Sequence, residues 1–313
     1  MRAIWRDPKA LTGGAILAAF AALALVGPQL VRDPSEPLGR PYDPPSATFW
    51  LGTTGMGQDV LAQLVAGARP TLGFAFGVGI VVVALGTLVG VMAGTVGGWI
   101  DAFLSLLIDI VLVVPGLPLV VVVGAYLSGG PGTVALVLCL TGWAWPARVL
   151  RALSLTLKTR DFVAAAEVAG ESRLRIVMAE LLPNMVPVVA SSFVGAVVYA
   201  LGALVGLEFL GVGDVERVTW GTILYWARND VALITGSWWT FVPTGICVGA
   251  VGIALALLGS VFDRVANPRL RISRAYLRAS GKGRGSGGAA ATPILRTPGP
   301  PRGSTSDAGS PRG

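Results

Sequence analysis

The chain has 313 residues, of which 53% are hydrophobic and only 13% charged, with a formal net charge of +7 and a mean hydropathy of +0.71. Soluble globular domains carry roughly 25% charged residues, so a soluble enzyme is excluded and a multi-span membrane protein remains. The sequence contains no His, and its two Cys, Cys139 and Cys247, lack metal-binding or C-x-x-C spacing. It therefore predicts neither a metal centre nor a redox motif.

Six windows of the sequence are long and apolar enough to cross a bilayer, which takes about 20 residues of helix. We therefore predict an all-α membrane protein with six transmembrane helices, at 11–31, 71–96, 102–127, 132–153, 187–210 and 240–262. An even number of spans places both termini on one side. With the termini in the cytoplasm, 19 of the 24 Lys and Arg residues lie in cytoplasmic segments, as the positive-inside rule favours. The basic charge is expected to orient the protein, not to bind nucleic acid.

The first span, 11–31, follows a cytoplasmic segment, 1–10, that contains Arg2, Arg6 and Lys9. A basic segment before an apolar stretch is also typical of a cleaved signal peptide. The length of the apolar stretch favours a retained helix. The loop that follows, 32–70, is predicted to be extracytoplasmic under either interpretation.

The end of that loop reads LGTTGMGQDVLAQLVAGARPTL, residues 51–72. Its Gly-rich start and Asp59 predict a turn that leads into a helix. The apolar residues on one face of this helix are Val60, Leu61, Leu64 and Val65. The pattern predicts an amphipathic helix at the membrane interface, ahead of a five-helix core at 71–263.

Glycines recur four residues apart in three of the spans. They are Gly86, Gly90 and Gly94 in the second, Gly202 and Gly206 in the fifth, and Gly245 and Gly249 in the sixth. Helices in lipid associate by close packing, and a glycine stripe lets two backbones approach. Each stripe therefore predicts a contact inside the bundle or a contact with another subunit, and the alternative is that Gly is simply frequent in this chain, with 43 residues.

The third span contains one carboxylate, Asp109, together with Pro115 and Pro118. A carboxylate at the centre of a span costs about 2.5 to 3.5 kcal/mol on insertion scales. The apolar residues of the same window contribute about −5 to −10 kcal/mol, so the span still inserts. Asp109 is interpreted either as a structural carboxylate bonded to a neighbouring helix or as part of a translocation path. The two prolines predict a kink.

The cytoplasmic loop 154–186 is predicted to form two short helices. Asp161 is expected to cap the first, whose residues Ala164–Ala166 give it a flat surface. Gly170 permits the turn that follows.

The second helix is expected to be capped by Ser172 and to end near Leu182, because Pro183 disfavours a helical residue before it. A helix pair that projects from a membrane bundle suggests a docking element for a cytosolic partner. An ordinary connecting loop is the alternative.

The outer end of the fifth span carries Glu208, which either contacts substrate or reaches interfacial water. The loop 213–239 beyond it is rich in aromatic residues, among them Trp220. Aromatic anchoring at the membrane interface is a role that the residues alone predict for this loop.

The remainder, 264–313, is predicted to be a cytoplasmic tail. From about residue 279 it contains too few apolar residues to offset the entropy of ordering, so disorder is expected. Attraction of its scattered Arg residues to anionic lipid is the alternative role.

Several of these segments together resemble one family. LGTTGMGQDVLAQLVAGAR is similar to the LGTDxxGRDVLSRLxxGAR signature of the dipeptide, oligopeptide and nickel permease family of ABC importers. The loop 154–186 resembles the EAA coupling loop of that family, with Gly170 and Pro183 thirteen residues apart. Further matches in chain order are GGWID at 97–101, LEFLGVG at 207–213, Trp220-Gly221 and NPRLR at 267–271. The resemblance covers roughly residues 5–275.

The resemblance implies a type I ABC importer permease bundle in the inner membrane of a bacterium. It implies a heterodimer with a second homologous permease subunit, two ATPase subunits that bind ATP and Mg, and an extracytoplasmic substrate-binding protein. The chain itself has no GxxxxGK[ST] phosphate loop, so it is expected to be a transport subunit without a cofactor or ATPase site of its own. The implied coupling-loop residues are Asp161, Ala164, Ala165, Glu167, Gly170, Leu182 and Pro183.

The candidate residues for the translocation path or its gate are Asp109, Glu208 and Trp220. The resemblance also implies that the loop 213–239 faces the binding protein or caps the path. The chain departs from the family pattern at three positions. Ala164 replaces the usual Glu of the coupling loop, Glu208 replaces a common Ser, and Leu204 replaces a nearby membrane Glu.

Short peptides are the expected cargo, with nickel chelates, glutathione-like compounds and oligosaccharides as alternatives. A stand-alone secondary transporter or channel would need polar groups that converge at mid-membrane, or broken helices in matching halves. Asp109 and Glu208 are too few for that. A membrane enzyme is disfavoured because the chain lacks His, the commonest general base.

Overall fold

The computed structural model of the chain describes residues 7–126, 130–230 and 232–266. The NPRLR motif and the tail predicted to be disordered lie outside these residues. The α-helices of the described part are α1 (Pro8–Val26), α2 (Val60–Val96), α3 (Gly98–Val113), α4 (Gly116–Tyr126), α5 (Pro131–Gly142), α6 (Ala144–Lys158), α7 (Asp161–Val168), α8 (Arg173–Arg175), α9 (Leu182–Phe209), α10 (Trp220–Asn229), α11 (Ala232–Thr235) and α12 (Val242–Ala266). A π-helical stretch, Ile176–Leu181, joins α8 to α9.

Five helical stretches in the described part are long and apolar enough to cross a membrane, or six if α3 and α4 count as one bent span. The prediction of an all-α protein with six spans is confirmed in this form. The third span is bent by 69° between α3 and α4. The break lies at Val114, whose extended backbone has ψ 120°, because the following Pro115 disfavours a helical conformation there.

The second and fifth spans begin earlier than the sequence predicted. α2 starts directly after Asp59, whose carboxylate accepts a hydrogen bond from the Leu61 N–H at 2.9 Å. It then runs without interruption through Pro70 to Val96. The structure thus has one helix of 37 residues where an interfacial helix followed by a separate span was expected.

The glycine stripe of α2 faces α6 inside the bundle. A Cβ atom at Gly86, Gly90 or Gly94 would lie within 2.9 Å of a backbone carbonyl oxygen of residues 143–151. The interior contact predicted for this stripe is therefore present, and it places α2 against α6 at backbone distance.

The glycine stripes of the fifth and sixth spans behave differently. No atom of the described residues lies within 4 Å of a Cβ built at Gly202, Gly206, Gly245 or Gly249. The interior contact is therefore absent for these stripes among the described residues, and a contact with another subunit stays a prediction.

The first helix packs along the last. A Cβ at Gly13 would lie 2.7 Å from the Ala254 carbonyl oxygen, and the Asp7 carboxylate pairs with the Arg264 guanidinium at 2.9 Å. Both described ends of the bundle therefore lie at the same face, as an even number of spans requires. The close packing of α1 is consistent with a retained first helix.

Candidate functional site

The segment between the fourth and fifth spans forms two short helices joined by a tight turn. At its centre Gly170 has a φ of +77°. The Gly170 N–H donates to the Glu167 carbonyl at 3.0 Å and the Glu171 N–H to the Ala166 carbonyl at 3.1 Å. These two bonds form a Schellman cap, which places a left-handed residue after the helix end and favours glycine there. The turn predicted at Gly170 is present for this reason.

The ends of these helices differ from the prediction in two places. Arg160, and not Asp161, is the N-cap of α7, so Asp161 is its first residue. Its carboxylate there still interacts favourably with the positive end of the helix dipole. Ser172 caps α8 as predicted. Pro183 does not end the helix, because it lies in the first turn of α9, where a residue without an N–H is tolerated, and the π-helical turn before it carries the chain into α9.

The helix pair is anchored to α6 through its inner side. Val163, Ile176 and Leu181 are buried in a small cluster that includes Leu157 of α6. The outer side is exposed and largely apolar, with Val168 89% exposed. We call this surface the inner docking face, after the predicted cytoplasmic position of the loop, and it consists of Phe162, Ala164, Ala165, Val168, Leu174 and Met178. Exposed apolar groups on an anchored helix pair are typical of a protein interaction site.

The structure places the predicted coupling residues in two groups. Asp161, Glu167 and Gly170 are exposed beside the inner docking face. Leu182 instead packs against a cluster around Leu150 and Met185, so it supports the bundle and does not form part of the exposed face.

A cavity of about 910 Å³ lies between the break in the third span, α6, α9 and the end of α12. Its walls are mostly apolar, with polar groups from Thr141, Ser191, Tyr199 and Asp263. The Ser191 hydroxyl donates to the Asp263 carboxylate. None of these residues is predicted from the sequence. The one signal that pointed to the cavity was the proline pair in the third span, since the helix break at Pro115 opens one of its walls.

Asp109 lies on α3 and forms an ion pair with Arg148 of α6. Two turns away, Asp101 accepts two hydrogen bonds from the Arg151 guanidinium, at 2.6 and 3.0 Å. The two pairs fix α3 to α6. Asp109 is not among the residues that line the cavity. Its ion pair is a bond to a neighbouring helix, and its role in the path stays a prediction.

Trp220 is fully buried at the start of α10. Its N–H donates to the Thr71 hydroxyl and its indole Nε1–H to the Leu64 carbonyl, both at 3.0 Å. The Phe20 ring meets it edge-on at 5.7 Å. Trp220 therefore joins α10 to α1 and α2, and it faces neither the outer surface nor an open path in the described part of the chain.

Glu208 is 5% exposed at the outer end of α9. Its carboxylate accepts a hydrogen bond from the Thr219 hydroxyl at 2.5 Å. It also borders a small cavity of about 160 Å³, together with Asp214 and Arg217. Neither sequence-based alternative, substrate contact or interfacial water, predicted this buried link to the start of α10.

The signature segment folds into a compact outer cap. The Thr53 hydroxyl donates to the Arg40 carbonyl at 2.6 Å and accepts from the Asp43 N–H at 2.8 Å. The Trp239 indole donates to the Thr53 carbonyl at 3.2 Å. The glycines of the signature allow the tight turns, since Gly52 has a φ of +68°.

A second contact joins the outer loop to the segment after α10. The Tyr42 hydroxyl donates to the backbone carbonyl of Asp230. Burial raises the pKa of the Asp230 carboxyl. Burial, and secondarily the nearby Asp230 charge, also raises the pKa of the Tyr42 hydroxyl. This contact joins the loop 32–70 to the aromatic-rich loop 213–239.

Comparison with known proteins identifies similar chains. Residues 86–272 match the family described as binding-protein-dependent transport system inner membrane component. The chain is 29% identical to the dipeptide transport system permease protein DppC of Bacillus subtilis over 86% of this chain and 85% of the relative. It is 32% identical to the oligopeptide transport system permease protein OppC of Mycobacterium tuberculosis over 66% of this chain and 71% of the relative. A putative peptide permease protein of Brucella suis is 29% identical over 82% of this chain and 88% of the relative.

Proposed function

Because the chain belongs to the family of binding-protein-dependent transport system inner membrane components, we propose that it is a permease subunit of an ATP-driven importer of short peptides. The names of the dipeptide and oligopeptide permeases to which it is similar support a peptide cargo. The chain is a multi-pass membrane protein, and the proposed location is the inner membrane of a bacterium with both termini in the cytoplasm.

The proposed complex contains a second, homologous permease subunit, two ATPase subunits and an extracytoplasmic substrate-binding protein. ATP and Mg would be bound by the ATPase subunits. The exposed glycine stripes at 202 and 206 in α9 and at 245 and 249 in α12 support a close contact with another membrane subunit.

The observation that carries the proposal is the inner docking face. It is apolar, exposed and anchored to α6, and α8 continues through the π-helical turn into α9, so that residues Arg173–Phe209 form one helical stretch of 37 residues. A displacement of the docking face by an ATPase subunit would therefore act directly on a helix that crosses the membrane. In this mechanism ATP-driven closure of the ATPases switches the bundle between inward-open and outward-open states.

The cavity of about 910 Å³ is the proposed contribution of this chain to the path. It lies against α9, so movement of that helix would change its shape. Its mostly apolar walls, with a few hydroxyls and one carboxylate, suit peptides of varied side chains better than a single charged solute.

Reconstitution tests the proposal. Proteoliposomes should contain the full complex, with the binding protein and labelled dipeptides or short oligopeptides on one side of the membrane and the ATPase subunits on the other. Peptide should accumulate on the ATPase side only when ATP is supplied there. The matched control is a complex whose ATPases cannot hydrolyse ATP. Accumulation against a gradient by this chain alone would contradict the proposal.

A further inference from the structure

We propose that Glu208 is a positioning residue that attaches α10 to α9, so that α10 moves together with the helical stretch that begins at the inner docking face. This inference rests on the proposed function, since it concerns how the importer couples its two faces. Glu208 is not expected to contact cargo.

The fastening is made by a short chain of hydrogen bonds. The Thr219 hydroxyl donates to Glu208 Oε2 at 2.5 Å and accepts from the Thr222 N–H at 3.1 Å. In the other direction the Thr222 hydroxyl accepts from the Thr219 N–H at 2.9 Å, which completes a capping box at the start of α10. The Glu208 carboxylate is therefore bonded to the residue that caps α10.

The second residue of α10 is a glycine, Gly221, and it lies directly against Glu208. A Cβ atom at Gly221 would lie 2.6 Å from Glu208 Cβ and 3.1 Å from Val205 Cα. No side chain larger than hydrogen fits there without displacing α10 from α9. The carboxylate also lies at the N-terminal end of a helix of 10 residues, where the helix dipole stabilises negative charge.

The same short helix is bound to α2 on its other side. Trp220, next to Thr219, donates to the Thr71 hydroxyl and the Leu64 carbonyl, both at 3.0 Å. Hydrogen bonds thus attach α10 to α2 through Trp220 and to α9 through Glu208. The Arg228 guanidinium also lies over the Phe209 ring of α9, 5.5 Å from its centroid. Glu208 and Phe209 both belong to the helical stretch that starts at the inner docking face.

The rival explanation is that Glu208 recognises a positive group of the cargo in the adjacent cavity of about 160 Å³. The two roles differ in what glutamine can do. A Gln side chain still offers a carbonyl oxygen to the Thr219 hydroxyl but carries no charge. A fastening role therefore tolerates Glu208→Gln, whereas a charge-recognition role does not.

The test compares Glu208→Gln, Glu208→Leu and Thr219→Val in the complete importer in proteoliposomes. Thr244→Val is the matched control, since the Thr244 hydroxyl is buried and has no hydrogen-bond partner among the described residues. We expect Glu208→Leu and Thr219→Val to keep ATP hydrolysis within about twofold of wild type but to import at least tenfold fewer peptides per ATP. Glu208→Gln should retain at least half of the import, and Thr244→Val all of it.

Other outcomes overturn the inference. Normal coupling in Thr219→Val shows that the hydrogen bond does not transmit movement, and loss of import in Glu208→Gln equal to that in Glu208→Leu shows that the charge is what matters. If Glu208→Leu fails to assemble with its partners, the nearly isosteric Thr219→Val carries the test.

A distance measurement separates this inference from the proposed function. Spin labels at Val198 of α9 and Asn229 of α10, both exposed, should keep one distance distribution with and without bound nucleotide, after Cys139 and Cys247 are replaced. In Thr219→Val the distribution should broaden or shift with nucleotide. A wild-type distance that changes with nucleotide contradicts the inference even if import occurs, and absent import in wild type contradicts the proposed function whatever the distances are.

Discussion

The Cβ atom that Gly90 lacks would lie 2.5 Å from the carbonyl oxygen of Ala147 on the neighbouring helix. Gly86 and Gly94 make the same kind of approach to α6 one turn before and one turn after it. Because backbone atoms cannot rotate away as a side chain can, these three positions set the separation of α2 and α6. The bundle is thus packed at backbone distance between α2 and α6, and α6 is also the helix to which the inner docking face is anchored.

Substitution of Gly90 tests this packing. Gly90→Ala should lower the free energy of unfolding by about 1–3 kcal/mol, the usual cost of overpacking. The midpoint of thermal unfolding in detergent measures the effect.

Gly77→Ala is the matched control on the same helix, because no described atom lies within 4 Å of a Cβ at Gly77. Ala has a better helix propensity than Gly by about 1 kcal/mol, so Gly77→Ala should leave the midpoint of thermal unfolding unchanged or slightly raised. Equal midpoints for the two variants would show that the contact with Ala147 does not limit the approach of α2 to α6.

The turn at Gly170 gives a prediction about coupling. Gly170→Val should insert and fold but lose most ATP-driven import, since a β-branched residue at φ +77° is strained and tilts α8 relative to α7. Gly170→Asn should retain import, because Asn tolerates the left-handed conformation. Import is measured in proteoliposomes, with co-purification of the ATPases as a check on assembly. Normal import by the Val variant would remove the turn from the coupling mechanism.

Local chemistry made several of these features predictable. The Schellman turn at Gly170 and the cap at Ser172 depend on residues adjacent in the chain, and the break at Pro115 depends on one missing N–H and one steric clash. The six spans follow from runs of apolar residues. Each of these requires no knowledge of the neighbouring helices.

Features that depend on neighbouring helices were predicted incompletely or not at all. Pro183 has the same chemistry as Pro115 but lies in a first helical turn, so it does not break its helix. Glu208 lies in an apolar context that fits substrate, solvent or a buried link equally well, and only the position of Thr219 distinguishes them. Ser191 of α9 and Asp263 of α12 are in contact although they are 72 residues apart in the chain, and no local sequence pattern predicts the cavity they line.

The ion pair between Asp109 and Arg148 leads to a charge-balance prediction. Asp109→Asn should lower the free energy of unfolding by about 0.2–1 kcal/mol, because Arg148 loses its partner. The effect is small because both side chains of the pair are more than half exposed. Arg148→Gln should have a similar effect. The double variant should recover most of the lost stability and import.

Thermal midpoints and ATP-driven import of the two single variants and the double variant form a mutant cycle. Import that fails in the double variant although its midpoint is restored would contradict the structural role and place Asp109 in the translocation path.

Substitution of Trp220 distinguishes between three roles of this residue. It could anchor α10 inside the chain, act as a gate of the path, or anchor the chain at the membrane interface. As an anchor, its ring fills the space between α1, α2 and α10, so Trp220→Ala should cost about 3–5 kcal/mol. Trp220→Phe keeps most of the ring, including the edge-on contact with Phe20, and loses the indole bond to the Leu64 carbonyl, a net effect of about 0.5–1.5 kcal/mol.

Trp50, which is 73% exposed, provides the control, and Trp50→Ala should unfold at the wild-type temperature. Thermal unfolding of the purified subunit should therefore rank Trp220→Ala below Trp220→Phe and both below Trp50→Ala. If Trp220→Ala unfolds with Trp50→Ala and loses only import, the indole acts at a gate and does not hold α10 in place.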